Sequence, residues 1–163
     1  MLSRTQNKKT KTLNKNNIRL LAIGNLKSLP EESYAELQTA INATAKNTRM
    51  SLVLALSYGS RWEIIEAVKQ LIRDKIRNYE LGIRNKLEDI DDNLFSQFLT
   101  TKDIPDPELM IRTSNEFRIS NFLLWQLAYT ELYFTPKLWP DFTKEDLYEA
   151  IVNYQSRERR FGT

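Results

Sequence analysis

The side chains best suited to chemistry lie in residues 111–121, Ile-Arg-Thr-Ser-Asn-Glu-Phe-Arg-Ile-Ser-Asn. Arg112 and Arg118 flank a polar turn that follows the short apolar run 109–111. If that run is a strand of an open α/β sheet, the turn lies beyond its carboxyl end, where such sheets bind ligands. Guanidinium groups fork onto phosphate oxygens. Ser114 and Ser120 add hydroxyl donors, and Asn115 tolerates the positive φ that a tight turn can need. The set could hold a diphosphate. Spacing alone fits an exposed surface turn with two arginines equally well.

Glu131 is the second signal, in the apolar context of residues 127–134. In a strand it would share a face with Tyr129 and Tyr133. It reads either as a carboxylate on the wet face of an edge strand or as a ligand for Mg2+, which takes one or two carboxylates plus phosphate oxygens. The acids Glu88, Asp89, Asp91 and Asp92 read instead as caps and dipole partners of a short helix. Trp125, Tyr129, Phe134 and Trp139 read as core or interface residues.

The 163 residues contain no Cys and no His. Disulfides, thiolate metal sites, Cys nucleophiles and His-based triads are excluded. Acid–base or metal work falls to carboxylates, Lys, Arg, Tyr and Ser, which suits oxygen-ligated ions and phosphate chemistry.

The elements that must position these groups follow from hydrophobic pattern and punctuation. Residues 18–23 form a short apolar run closed by Gly24-Asn25, a buried strand and a turn. Pro30-Glu31-Glu32 opens a helix reaching about residue 45. Residues 50–56 are a second apolar run, punctuated by Gly59. Ser60-x-x-Glu63 then reads as a capping box for a helix carrying Ile64, Ile65, Val68, Leu71, Ile72 and Ile76. Strand, glycine turn and capped helix, met twice, predict an α/β fold with a mostly parallel sheet flanked by helices. Asp91 or Asp92 caps a short helix, and Pro105-Asp106-Pro107 resets the chain. Residues 109–111 are a third strand, 122–128 a helical turn or two, and 132–134 a fourth strand. Thr143-x-x-Asp146 caps a last helix. Residues 1–163 read as a single domain.

The first 30 residues hold seven basic residues and no acid. Residues 1–15 therefore read as a basic leader, helical or frayed, or as an arm for nucleic acid or anionic lipid. No aromatic precedes Tyr34, so the stacking platform of a single-strand binder is missing and no nucleic-acid partner is expected. No apolar run approaches the length of a membrane span.

The sequence resembles the cis-prenyltransferases of the bacterial undecaprenyl diphosphate synthase type, from about Asn16 to Gly162. The motifs are Ile23-Gly24-Asn25-Leu26, Ser57-Tyr58-Gly59-Ser60-Arg61-Trp62-Glu63, residues 105–114, residues 118–126, residues 129–134, Trp139-Pro140-Asp141-Phe142 and residues 157–162. The resemblance implies a Mg2+-dependent transferase that adds isopentenyl diphosphate to an allylic diphosphate such as farnesyl diphosphate, making cis double bonds. It implies that Arg112, Arg118, Ile119 and Ser120 hold isopentenyl diphosphate. Glu131 helps to hold the metal across a homodimer, and Arg160 and Gly162 reach the partner's site. A cytoplasmic enzyme that touches the inner face of the membrane on product release goes with it.

The sequence departs from the family pattern at its start, where the family carries a strand, a phosphate-binding loop with the catalytic Asp, and a Ser-x-Glu-Asn-Trp segment. The reading is therefore of the C-terminal part of such a domain. No catalytic residue is assigned, and the chain alone is expected not to elongate farnesyl diphosphate. The alternative is a non-catalytic subunit that pairs with a complete cis-prenyltransferase. Arg49, Ser57, Ser60 and Asn115 stand where Gly, Asn, Gly and Gly are usual. A sheet face left uncovered at the start would favour self-association.

Overall fold

A computed structural model describes residues 2–80 and 87–158. The two apolar runs are strands β1 (Ile18–Ile23) and β2 (Met50–Ala55), paired in parallel from Ile18 opposite Met50 to Ile23 opposite Ala55. Parallel neighbours need a crossover, and helix α2 (Glu31–Thr44) supplies it. The basic leader is helical, α1 (Leu2–Lys15), and packs against β1 and α2. Gly24 ends β1 at φ +107°, where a Cβ would lie 2.2 Å from the Leu56 carbonyl oxygen, so only glycine fits. The buried Thr44 hydroxyl accepts from the Leu20 amide at 3.0 Å, tying α2 to β1.

Strands β3 (Leu109–Arg112) and β4 (Glu131–Phe134) form a second parallel pair, with Leu109 opposite Glu131 and Arg112 opposite Phe134. Among the described residues the parallel strands thus form two two-stranded sheets, flanked by helices. Helix α3 (Ser60–Glu80) follows β2, α4 (Asp92–Ser96) precedes β3, and α5 (Lys144–Gln155) follows β4. Asp91 caps α4 by accepting from the Leu94 amide at 2.8 Å. That places one of the acidic cluster in a cap, and no group of three potential metal ligands occurs among the described residues.

Three local expectations need correction. Residues 122–128 are successive turns, because Asn121 and Leu123 adopt φ of +61° and +47°, which a helix cannot accommodate. Tyr129 precedes β4 and does not share a strand face with Glu131. Tyr129 and Trp139 are 82% and 72% exposed and Trp125 is also exposed, so none of these three is core. Phe134 is half-buried and packs on Phe117 with ring centroids 5.4 Å apart.

Leu20, Ile23, Ala67, Leu71, Leu99 and Ala150 form the buried apolar core among the described residues. Helix α3 turns Ala67 and Leu71 inward and leaves Ile65, Val68, Ile72 and Ile76 exposed along the opposite side. No helix among the described residues is long and apolar enough to cross a membrane.

The expected cap of α5 is present in full. The Thr143 amide donates to the Asp146 carboxylate at 2.8 Å, and the Asp146 amide donates back to the Thr143 hydroxyl. Lys137 adds an ion pair at 2.6 Å. The Lys137 hydrogen bond, then the Thr143 amide and hydroxyl, pull the Asp146 carboxyl from 3.8 down to about 2. A depressed folded pKa means that the stabilisation is fully present above about pH 4 and lost as pH falls toward 2. Thr143→Ala is expected to lower stability by about 1 kcal/mol in urea unfolding at pH 7. Asp146→Asn should flatten the loss of stability between pH 4 and 2, measured by the same titration across pH.

Candidate functional site

Arg112 is the last residue of β3, and its guanidinium leaves the strand where the polar turn begins. That turn is fastened to the segment after β4. The Thr135 amide donates to the Arg112 carbonyl (2.9 Å), the Ser114 amide to Lys137 (2.7 Å) and the Asn115 amide to Thr135 (3.1 Å). Asn115 has the positive φ expected of it, +54°, and Ser114 shares it at +69°.

The far side of the turn is fixed by helix α3. The Asn121 carbonyl accepts from the Ser60 amide at 2.8 Å and its side-chain oxygen accepts from the Arg61 amide at 2.9 Å. The Leu124 amide donates to the Ser60 hydroxyl at 2.9 Å. Gly59 packs closely here, because a Cβ would stand 2.8 Å from the Asn121 side-chain nitrogen Nδ2 and would push that side chain from its place beside the Arg61 amide. The predicted capping box is therefore not what starts α3. Asn121, 60 residues away, caps the helix, and Glu63 is turned into the core.

Glu63 is 1% exposed. Its carboxyl accepts from the Tyr58 hydroxyl (2.6 Å), the Thr100 amide (2.9 Å), the Thr100 hydroxyl and the Gln126 amide (3.0 Å). Gln126 also donates to the Thr101 hydroxyl at 2.7 Å. Burial, reinforced by the hydrogen bond to Glu63, raises the Tyr58 hydroxyl pKa above its ordinary value, so it stays a donor. Satisfied acceptors are what make a buried carboxyl group tolerable.

On this frame Arg112, Arg118 and Ser120 converge. The Arg112 guanidinium donates to the Ser120 hydroxyl at 3.4 Å and to the Glu116 carboxylate at 2.5 Å. Arg118 reaches the same carboxylate at 2.7 Å. The Arg112 hydrogen bond, opposed by partial burial and aided by both positive charges, holds Glu116 below the usual carboxylate range. Two cations and one anion leave the cluster net positive, with Arg118 70% exposed. Ile119 is half-buried, and its carbonyl accepts from the Phe122 amide at 3.0 Å. Sequence reasoning missed Glu116. Its spacing, four residues after one arginine and two before the other, was the available signal.

Glu131 does not join this cluster. It opens β4 opposite Leu109, whereas Arg112 closes β3 opposite Phe134. Three residues of strand put it about 10 Å away along the sheet. Its carboxylate is paired with Arg157 at 2.6 Å, and Arg157 also donates to the Leu132 carbonyl and the Asn153 side chain. Arg160 and Gly162 lie outside the described residues.

Residues 1–162 match the family model described as "Putative undecaprenyl diphosphate synthase". The chain is 54% identical over 147 residues to the isoprenyl transferase of Porphyromonas gingivalis, covering 90% of this chain and 56% of that protein. It is 45% identical over 155 residues to a (2E,6E)-farnesyl-diphosphate-specific ditrans,polycis-undecaprenyl-diphosphate synthase of Coxiella burnetii, covering 95% and 63%. Among solved structures it is similar to lavandulyl diphosphate synthase from Lavandula x intermedia in complex with dimethylallyl diphosphate. That match has a TM-score of 0.86 at 39% identity and covers 94% of this chain and 64% of the other. A probable undecaprenyl diphosphate synthase from Campylobacter jejuni matches with a TM-score of 0.81 at 34% identity, covering 99% and 71%. The chain therefore spans little more than half the length of several curated relatives.

Because Glu63 anchors the segments that carry the cluster, its removal should be felt throughout. Glu63→Ala leaves the buried Gln126 side chain and the half-buried Tyr58 hydroxyl without their shared acceptor and is expected to cost roughly 2–4 kcal/mol in denaturant unfolding. Glu63→Gln, which keeps an acceptor oxygen, should cost less than Glu63→Ala. Equal stability of the wild type and Glu63→Ala would show that the network anchors nothing.

Proposed function

Since the chain belongs to the undecaprenyl diphosphate synthase family, we propose that it serves prenyl transfer and supplies the seat for the diphosphate of isopentenyl diphosphate. The allylic partner is a prenyl diphosphate such as farnesyl diphosphate, joined with cis geometry. The observation that carries this reading is the convergence of Arg112 and Arg118 on a single anion beside the Ser120 hydroxyl. Two guanidinium forks and a hydroxyl match the oxygens of a diphosphate. Arg112, set by the end of β3, would fix the ligand's position. Arg118, the more exposed, would close over it, and the Ser120 hydroxyl and the Ile119 amide would donate to remaining oxygens.

A cleft of about 840 Å³ between α1, α2 and the β1–β2 sheet gives the reading its second half. Leu13, Leu20, Leu37, Leu52, Leu54 and Leu56 line it, a suitable wall for a hydrocarbon chain. The allylic half of the reaction is assigned to groups outside the arginine cluster. The chain on its own is thus proposed to bind isopentenyl diphosphate without elongating farnesyl diphosphate.

Mg2+ suits the oxygen donors of Glu131, a half-buried carboxylate, but Arg157 engages that carboxylate at 2.6 Å and its positive charge opposes a cation, so the ion would bind only as this pair opens. When bound, the ion offsets diphosphate charge. The separation of Glu131 from Arg112 within one chain favours a homodimer in which one copy's Glu131 serves the other's seat, with Arg160 and Gly162 also crossing over. The exposed apolar side of α3 is consistent with self-association. A cytoplasmic location, product release at the membrane face and a role in cell-wall biogenesis complete the proposal.

The test is calorimetric titration with isopentenyl diphosphate, with and without Mg2+. Arg112→Gln and Arg118→Gln are each expected to weaken binding at least about tenfold, the scale of one lost charge-assisted hydrogen bond. Mg2+ should tighten binding to the wild type and have little effect on Glu131→Gln. Undiminished affinity in both arginine variants would sink the assignment of the seat.

A further inference from the structure

We propose that Glu116 is a built-in occupant of the anion seat, a carboxylate that fills the position of a ligand phosphoryl group and has to be displaced before a diphosphate can settle. The inference rests on the reading of Arg112, Arg118 and Ser120 as a diphosphate seat and adds a residue that works against binding.

Three observations carry it. First, one carboxylate engages both guanidinium groups, at 2.5 Å from Arg112 and 2.7 Å from Arg118. These are the donors that the seat would offer a ligand. A carboxylate and a phosphoryl group both present two oxygens to an arginine fork, so occupancy by one excludes the other. Second, Glu116 sits in the turn between the two arginines, and that turn is fixed at both ends, at Asn115 by Thr135 and at Asn121 by helix α3. The side chain is tethered to the seat and cannot diffuse away as a counterion would. Third, its side chain is only 30% exposed, so water screens it less than it screens Arg118, which is 70% exposed. A carboxylate that stays nearby after displacement repels the incoming anion.

Two opposing effects decide the sign. Glu116 orders Arg118 over the seat, which favours binding. It also neutralises half of the seat's charge and repels a polyanion, which opposes binding. A diphosphate carries at least two negative charges into the cluster, so the repulsive effect exceeds the ordering of one exposed side chain. The device sets a threshold. Weak anions leave Glu116 in place, whereas a ligand that bridges both arginines displaces it. The cluster is thereby kept from trapping ambient anions, and the arginines keep a partner when no substrate is bound.

The experiment titrates inorganic pyrophosphate into this chain in metal-free buffer containing a chelator. It compares wild type, Glu116→Gln, Arg118→Gln and the double variant. Glu116→Gln keeps the shape and hydrogen-bonding reach of the side chain without its charge. It is expected to bind pyrophosphate about tenfold more tightly than wild type, the size of a relieved like-charge repulsion. The gain should shrink when Arg118 is also replaced. Circular dichroism and the thermal midpoint monitor folding, and a damaged fold would lower affinity rather than raise it. If wild type binds pyrophosphate through its arginines and Glu116→Gln binds equally or more weakly, the occupant role is overturned and the seat stands. If neither protein shows arginine-dependent binding of pyrophosphate, the seat and this inference fall together.

Discussion

A single buried carboxyl group, that of Glu63, is the constraint on which the site depends. It is 1% exposed and takes hydrogen bonds from Tyr58, Thr100 and Gln126. These partners come from the turn between β2 and α3, the loop after α4 and the turns before β4. Such a group is tolerated in the interior only when its acceptors are met with good geometry, so the arrangement has little freedom. The start of α3 is thereby fixed in depth and direction. Its first amides then hold Asn121, and Asn121 sets where Ser120 and Arg118 emerge. The cation pair is positioned from below by a buried acid that no phosphate would touch.

Backbone strain follows from the same arrangement. Ser114, Asn115, Ser120, Asn121 and Leu123 all have positive φ. Ser and Asn tolerate this at small cost through local hydrogen bonding, but a leucine gains no such compensation. Strained residues of this kind persist only where surrounding contacts over-determine them. Here the contacts are the Ser60 hydroxyl against Leu124 and the Asn121 cap. The chain is bent back twice within a dozen residues, which brings Arg112 and Arg118 to one carboxylate. A regular helix or strand over residues 118–124 would carry Arg118 away from Arg112.

The local signals in the sequence were legible where the physics is local. Apolar runs ending in glycine became β1 and β2, Asp91 capped α4, and Thr143 with Asp146 capped α5. Arg112, Arg118 and Ser120 were readable as a group because they are close in the chain. The failures have a common cause in long-range hydrogen bonding. Ser60 and Glu63 have the spacing of a capping box, yet Asn121 takes the helix amides and Gln126 takes the acid. Those partners lie about 60 residues away, which periodicity and spacing do not report. The apolar pattern of residues 122–128 suggested helix for the same reason, since nothing in it reveals that Asn121 and Leu123 are held at positive φ. Trp139 and Tyr129 read as core or interface by type, and the core half of that reading fails because sheets this small have too little interior to take them.

The register of the second strand pair explains how the charges are divided. Parallel pairing sets Leu109 against Glu131 and Arg112 against Phe134, so the acid and the arginine occupy opposite ends of adjacent strands. An acid directly beside Arg112 on the neighbouring strand would neutralise it through a fixed ion pair. Glu131 is paired instead with Arg157, at the edge of α5. The anion that does reach Arg112 comes from the turn, on the half-buried side chain of Glu116, whose backbone neighbours are held in place. The Glu116 side chain can leave Arg112 by a rotamer change that keeps the backbone of the turn and the strands in place. The structure thus keeps the Glu131 ion pair at the far end of the strand pair from Arg112, and the anion that Arg112 does meet belongs to the turn and not to the sheet.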